Sequence, residues 1–145
     1  MADYTERFSE VWSLLEEIHP ASHTTEQNTG YVCLDRYHRA VVIIHCGVLG
    51  SGLDVDLEQA TTTTGTSAKT LDSGNKDITL TATTDNNTVS VIEIRTEELD
   101  VANKFDCINV EVTPGGQGDI FGVQIWGGVP RYAPVATTNL DSVTD

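Results

Sequence analysis

Basic residues are scarce in this sequence, and the chain is strongly acidic. Its 145 residues include 8 lysines and arginines against 22 aspartates and glutamates, which gives a formal net charge of −14 at pH 7. A charge of this sign repels phosphate backbones and anionic lipid headgroups. We therefore expect neither nucleic acid nor a membrane surface as a direct partner.

Long apolar runs are also missing. No run of apolar residues is long enough to cross a bilayer as a helix. The amino terminus, MADYTERFSEVW, contains neither a basic leader nor the apolar core of a signal peptide. The sequence therefore predicts a protein that is made and kept in the cytoplasm.

Cysteine is rare. Cys33, Cys46 and Cys107 each lie in a strand-like pattern, and none belongs to a Cys-x-x-Cys pair, so no zinc or redox motif is present. We expect buried, reduced thiols that act as small apolar side chains.

Recognisable catalytic motifs are absent as well. No serine or cysteine stands in a nucleophile-elbow pattern, and no glycine-rich loop follows a strand and opens a helix. Asp54, Asp56 and Glu58 share one strand face, but neighbouring carboxylates there stand about 6 to 7 Å apart, and no EF-hand glycine follows. A solvated acidic face is the favoured interpretation, with surface Ca²⁺ as the alternative. We predict no enzyme activity and no catalytic, cofactor-binding or metal-binding residue.

The residues before Pro20 carry a helical pattern. From Asp3 to His19, apolar side chains recur at spacings of three or four, which predicts an amphipathic helix that Pro20 ends. Burial of this stripe is worth on the order of 10 kcal/mol, so we expect the helix to dock on its own domain, on a neighbouring subunit or on another protein. The stripe consists of Phe8, Val11, Trp12, Leu15 and Ile18.

After Tyr31 the apolar period changes to two. Seven or eight short segments of this kind, separated by Gly, Asn, Asp and Pro turns, predict a mainly β fold, an antiparallel β-sandwich or jelly-roll-like domain behind an N-terminal amphipathic helix. The run from Val41 to Cys46 is apolar on both faces and predicts a central strand, or one that the helix covers. We divide the chain into a helical arm and linker (1–29), a β-sandwich domain (30–135) and a polar acidic tail (136–145).

The last strand ends abruptly. In GDIFGVQIWGGVPRYAPV, from Gly118 to Val135, a Gly pair and two prolines stop regular sheet pairing and predict a stiff strap. Trp126 and Tyr132 flank this strap, where they either anchor an interface or lock the strap to the sandwich. Arg131 lies inside it, and Arg36 and Arg39 beside His38 form a rare basic spot. These three arginines and two aromatics complete the candidate interface residues.

Three segments together resemble a known group of proteins. Glu58 to Leu71 (EQATTTTGTSAKTL), Ile92 to Pro114 and Gly118 to Val135 are similar to small tailed-phage virion proteins of the head decoration (cement) or minor head type, a resemblance that covers about residues 30 to 135. It implies a structural protein without cofactor that binds the outer surface of the assembled head and stabilises it. The implied partners are the major capsid protein and further copies of the chain as a homotrimer, on the capsid exterior after synthesis in the host cytoplasm.

Two other functions are considered beside this one. A head–tail connector or tail-associated protein would share the virion location. A carbohydrate-binding β-sandwich module would need exposed aromatic platforms, and only Trp12 and Trp126 are tryptophans.

Overall fold

The computed structural model describes residues 5–132 and 139–143. No helix among these residues has the length and apolar character that a membrane crossing requires. The described residues form α1, ten β-strands and three short 3₁₀ turns. Helix α1 is Phe8–Val11; the strands are β1 Trp12–His23, β2 Gln27–Asn28, β3 Val32–Cys33, β4 Tyr37–Cys46, β5 Leu53–Ala60, β6 Lys69–Thr70, β7 Ile78–Leu80, β8 Val89–Arg95, β9 Cys107–Pro114 and β10 Asp119–Pro130; the 3₁₀ turns are Leu71–Gly74, Thr96–Glu98 and Val101–Asn103.

The strands form two antiparallel sheets that pack face to face. Sheet A has the order β1-β10-β4-β8. Sheet B has the order β2-β9-β5-β6, with β3 also paired to β9 and β7 to β5. The predicted mainly β, antiparallel sandwich is therefore confirmed, and a helix that is shorter than predicted precedes it.

The core fills the space between the two sheets. Each strand turns alternate side chains inward, because the side-chain period of a strand is two. In β4, which lies between β10 and β8 as predicted for a central strand, Ala40, Val42 and Ile44 are fully buried. Sheet B contributes Val55, Leu57, Val110 and Val112 from β5 and β9.

The predicted helix from Asp3 to His19 is wrong over most of its length. Asp3 lies outside the described residues, α1 is only four residues long, and Trp12 to His23 form β1 along one edge of β10. The register shifts between Leu14 and Glu16 and again between Ile18 and Ala21. These bulges interrupt the period of two and leave apolar residues at spacings that imitate a helix. Sheet hydrogen bonds and core burial outweigh the marginal stability of a short helix.

Pro20 has a different role from the one predicted. It lies within β1, at the second register shift of a strand that pairs on one side only. Proline is tolerated at such an edge because its missing amide hydrogen breaks no ladder bond. The boundary predicted between residues 135 and 136 falls within 133–138, outside the described residues, and stays a prediction.

Two of the three cysteines are not reduced thiols. A disulfide joins Cys33 to Cys107, whereas Cys46 is free and buried, as predicted. Strands β3 and β9 pair so that the two cysteines stand directly opposite each other. They are 74 residues apart in sequence, so no local spacing announces the pair. Burial raises the pKa of the Cys46 thiol to about 11, with Asp85 and Asp119 adding to the shift.

A buried carboxylate fixes the start of β10. Asp119 is fully buried and accepts hydrogen bonds of 2.9 Å from the backbone amides of Ser51 and Gly52 and from the Ser51 hydroxyl. Burial by itself raises the pKa of Asp119, but these hydrogen bonds favour the charged form and leave the pKa below its ordinary value. The carboxylate thus ties the turn before β5 to the first residue of β10.

We expect Asp119→Asn to lower the free energy of unfolding by about 1 to 3 kcal/mol at pH 7, because the amide nitrogen faces buried donors. The native carboxylate has the lower pKa, so its stabilising contribution is present above the unfolded-state pKa and is lost as pH falls through the folded-state pKa. Urea unfolding at pH 7 and pH 3 should therefore show that the difference in free energy of unfolding between wild type and Asp119→Asn is smaller at pH 3. The variant Asp72→Asn at an exposed position is the control. A difference in free energy of unfolding that stays constant with pH would contradict the stabilising role of the Asp119 carboxylate.

We expect reduction of the Cys33–Cys107 disulfide to lower the free energy of unfolding by about 3 to 4 kcal/mol, because the bridge closes a long loop in the unfolded chain. The double variant Cys33→Ser/Cys107→Ser should have the same free energy of unfolding as the reduced protein, and reductant should not change it. Thiol titration of the unfolded, unreduced chain should count one thiol, that of Cys46. A count of three would restore the original prediction.

Candidate interaction surface

The two outer faces of the sandwich differ in chemistry. Outward positions of sheet A include a group of apolar residues, with Glu93, His45 and Gln124 among them, and we call this surface the apolar face. Several of its large side chains are well exposed to solvent, among them Val91 at 56% and Phe8 at 58%. The face consists of Val41, Ile43, Val89, Val91, Ile120 and Trp126, with Phe8 and Trp12 at one corner.

Three aromatic rings form that corner. The Phe8 ring centroid lies 6.3 Å from that of Trp12 in a stacked pair and 5.0 Å from that of Trp126 in an edge-to-face pair. The Trp126 indole donates to Gln124 Oε1 at 2.9 Å. A side chain on Gly128 would collide with the Trp12 ring, so glycine is required for this close approach. Helix α1 therefore serves to carry Phe8 onto the two tryptophans.

The opposite end of the apolar face contains a depression. A cavity of about 410 Å³ opens there, and its lining includes Pro20, Ile43, His45, Ile120 and Gly122. A side chain on Gly122 would contact Pro20 at 3.1 Å. The depression and the aromatic corner make the face uneven, a shape suited to a protein surface with matching relief.

Four arginines gather at the aromatic end of sheet A, which we call the basic end. Arg39 of β4 and Arg95 of β8 are directly opposite each other in the ladder and point outward with the apolar face. The backbone amide of Arg131 donates to the Arg36 carbonyl at 2.8 Å, which brings those two residues to the same end. In a chain with 8 basic residues, this is a marked concentration of positive charge.

The outer face of sheet B is acidic. Asp56 on β5 and Glu111 on β9 are direct cross-strand partners, and Asp54 and Glu58 flank Asp56 along β5. Burial and the neighbouring carboxylates raise the pKa of both Asp56 and Glu111. We call this surface the acidic face.

The acidic face does not assemble a metal-ligand group. Among residues 5–132 and 139–143, one set of three metal-ligating side chains comes together within 4.8 Å, and it consists of Cys33, Asp106 and Cys107. Two of those three ligand atoms are the sulfurs of the disulfide. The carboxylates of Asp54, Asp56 and Glu58 are instead spread along β5, where Asp56 and Glu58 are half-buried. Glu58 accepts hydrogen bonds from the Tyr31 hydroxyl and from the Asn109 side-chain amide.

The candidate interface residues separate into three groups. Phe8, Trp12 and Trp126 lie on the apolar face. Leu15 and Ile18 pack into the core and Val11 is half-buried. Exposed residues at the basic end are Arg36, Arg39, Arg131 and Tyr132, whose side chain is 74% exposed.

Sequence reasoning missed the apolar residues in the middle of the face and Arg95 at its edge. The signal was present, because both parities of β4 are apolar and β8 reads Val-Ser-Val-Ile-Glu-Ile-Arg. In a sandwich one parity faces the core, so the other parity must be an apolar outer surface. Val41, Ile43, Val89 and Val91 are the residues of that second parity.

The chain matches no family model and no curated protein. It is similar in structure to the Tobacco streak virus coat protein, with a TM-score of 0.45, 11% identity and coverage of 99% of this chain and 100% of the coat protein. A second structure of that coat protein, solved as a dimer, gives a TM-score of 0.43 and 8% identity over 94% and 95% of the two chains. A chain from Bacillus endospore appendages, described as disulfide-linked pili, gives a TM-score of 0.43 and 9% identity, with coverage of 88% of this chain and 98% of the appendage chain. At these values the likeness assigns no function to the chain.

Proposed function

We propose that this protein is a structural component of a tailed-phage virion that docks on the outer surface of the assembled head through its apolar face and stabilises the shell. The observation that carries the proposal is the contrast between the two outer faces. Large exposed apolar side chains cover sheet A, whereas carboxylates cover sheet B. A contiguous apolar surface is typical of a protein–protein contact, and an acidic surface is typical of contact with water.

The size of the apolar face indicates a contact repeated on a lattice. With strand spacings of about 4.8 Å and a rise of about 3.3 Å per residue, four strands of seven residues cover about 450 Å². A standard protein complex buries about 800 Å² on each partner, so this face is smaller than a complete interface. Several such contacts, or several linked copies, would combine through effective concentration.

The resemblance of three sequence segments to head decoration proteins supports the same proposal. It supplies the major capsid protein as the partner and a homotrimer as the oligomeric state, which stay part of the proposal. In this arrangement the acidic faces point away from the shell. Mutual repulsion among copies is then limited by salt to about 10 Å at 0.1 M.

We expect wild-type protein to co-sediment with heads assembled from the major capsid protein encoded with it, and Val91→Asp to reduce this retention at least tenfold, because the new carboxylate must be desolvated against the shell. Val101→Asp is a matched control: Val101 is also 56% exposed but belongs to a 3₁₀ turn that is not part of sheet A. Urea unfolding should show equal stability for both variants.

Electron microscopy of the same particles then locates the protein. Density over the whole shell, at local or true three-fold positions, is the expected result. Density confined to one vertex or to the tail would favour a connector or tail protein instead. Failure of wild-type protein to bind heads, together with glycan-array binding that Trp126→Ala abolishes, would replace the proposal with the carbohydrate-binding module.

A further inference from the structure

We infer that the basic end of the apolar face binds carboxylate groups of the capsid protein on which the face docks, and that Arg39 and Arg95 are the two residues that hold them. This inference rests on the proposed function, because it names the chemistry of the partner at the same face. It concerns a pair of side chains whose arrangement within the chain has no stabilising explanation of its own.

Arg39 and Arg95 form a like-charged cross-strand pair. They are directly opposite on β4 and β8, and side chains in such positions start about 4.5 to 5.5 Å apart, where like charges are destabilising. Among the described residues no carboxylate lies within 4.0 Å of the Arg39 side chain. The Arg95 side chain has an exposed contact with Glu97 at 3.7 Å, and its charge also helps to lower the pKa of Glu98, whose carboxylate accepts from the Arg95 backbone amide. Exposed contacts of this kind contribute little. Arg39 therefore has no ion-pair partner among the described residues, and Arg95 has only weak ones.

The same two arginines line a recess at the edge of the apolar face. They border a cavity of about 340 Å³ whose lining also includes Trp12, Val41, Glu93 and Glu98. A second cavity of about 240 Å³ lies between the same arginines, His38 and Glu97. Apolar and charged walls thus meet in one place. A docked surface that covers Val41 also lowers the dielectric around the arginines, which strengthens any charge-assisted hydrogen bond made there.

A third cation in the recess is already engaged. Lys76 also lines the larger cavity, but its ammonium donates to the Glu93 carbonyl at 2.8 Å and pairs with Glu98 at 3.2 Å. The guanidinium groups of Arg39 and Arg95 therefore supply the donors for an incoming ligand. Their planar forks match carboxylates in bidentate geometry, a fit that lysine does not offer.

The charge of the whole chain selects a protein carboxylate as the ligand. A nucleic acid would bring a dense row of phosphates toward a molecule of net charge −14, which repels it at long range. A second copy is disfavoured because its carboxylates are concentrated on the acidic face. Stacking that face on this one would bury charges against Val41, Ile43 and Val91, at a high desolvation cost. One or two acidic side chains on an otherwise apolar partner surface meet neither objection.

The test compares retention of the full chain on assembled heads at 50 and 500 mM NaCl. We expect Arg39→Gln/Arg95→Gln to bind about tenfold more weakly than wild type at low salt, because charge-assisted hydrogen bonds are lost. The difference in binding between wild type and the double variant should fall to about threefold at high salt, where such charges are screened. Lys104→Gln is the control for the loss of an exposed positive charge elsewhere and should bind as wild type does.

The outcomes separate this inference from the proposed function. Wild-type protein that does not bind heads at all would remove the proposed function. Wild-type and double-variant proteins that bind heads equally at 50 mM NaCl would leave that function standing and overturn the inference. Retention that nuclease treatment abolishes would assign the arginines to nucleic acid and overturn it too.

Zero-length crosslinking identifies the partner carboxylate. The variant Arg39→Lys places an amine in the recess, and a carbodiimide should join it to an aspartate or glutamate of the capsid protein. Val101→Lys presents an exposed amine outside sheet A and should not form this product. Peptide mapping that found the Arg39→Lys crosslink on a second copy of the chain, and not on the capsid protein, would refute the assignment.

Discussion

The sandwich depends on one strand, β10, that is hydrogen-bonded along both edges. Strand β1 pairs with one edge and β4 with the other, so sheet A exists only when residues 119–130 meet residues 12–23 and 37–46. These contacts join residues far apart in the chain. Folding through such long-range pairings is slow, because the entropy of loop closure is lost before the stabilising contacts form. The buried Asp119 carboxylate holds the start of the strand to the turn before β5. Sheet B therefore helps to place the strand on which sheet A depends.

The same strand determines the relief of the apolar face. Its outward positions include two glycines, Gly122 and Gly128, beside the larger residues Ile120, Gln124 and Trp126. Each glycine admits a neighbour from β1, because Pro20 packs over Gly122 and the Trp12 ring over Gly128. The depression and the aromatic corner are thus two results of one sequence pattern. The glycines allow residues of β1 to pack closely on β10, and this packing determines the shape of the outer surface.

Sequence patterns predicted this fold where a single face of a strand is buried. Strand β5 alternates Leu, Val and Leu with carboxylates, so its inner and outer faces are evident from the letters alone. Strand β1 defeated the same reasoning, because two bulges shift its register and place Leu15 and Ile18 on the core side at a helical spacing. Long-range pairing also hid the disulfide, since Cys33 and Cys107 meet only once β3 lies beside β9. Local periodicity carries no information about such partners.

The candidate surface was predicted only at its corners for a related reason. Tryptophan, tyrosine and arginine attract notice singly, whereas Val41, Ile43 and Val91 gain meaning only when four strands place them side by side. An apolar residue in a strand is interpreted as a core residue unless the residues before and after it are also apolar, in which case only one of the two sets can face the core. The second apolar parity of β4 could have supplied this comparison from the sequence. Arg95 needed the structure, because its opposition to Arg39 is a matter of register between strands.

Charge and apolarity together restrict how this molecule can lie against a partner. Turning the acidic face inward would further desolvate Asp56 and Glu111, whose pKa values are already raised by burial and by the neighbouring carboxylates, so that orientation is costly. Turning the apolar face inward removes Val91 and Phe8 from water and gains free energy. In the proposed complex, the two faces therefore favour docking through the apolar side. The relief of that face already limits rotation within the plane of contact, and the inferred hydrogen bonds of the arginines at one end would limit it further, because directional hydrogen bonds fix register.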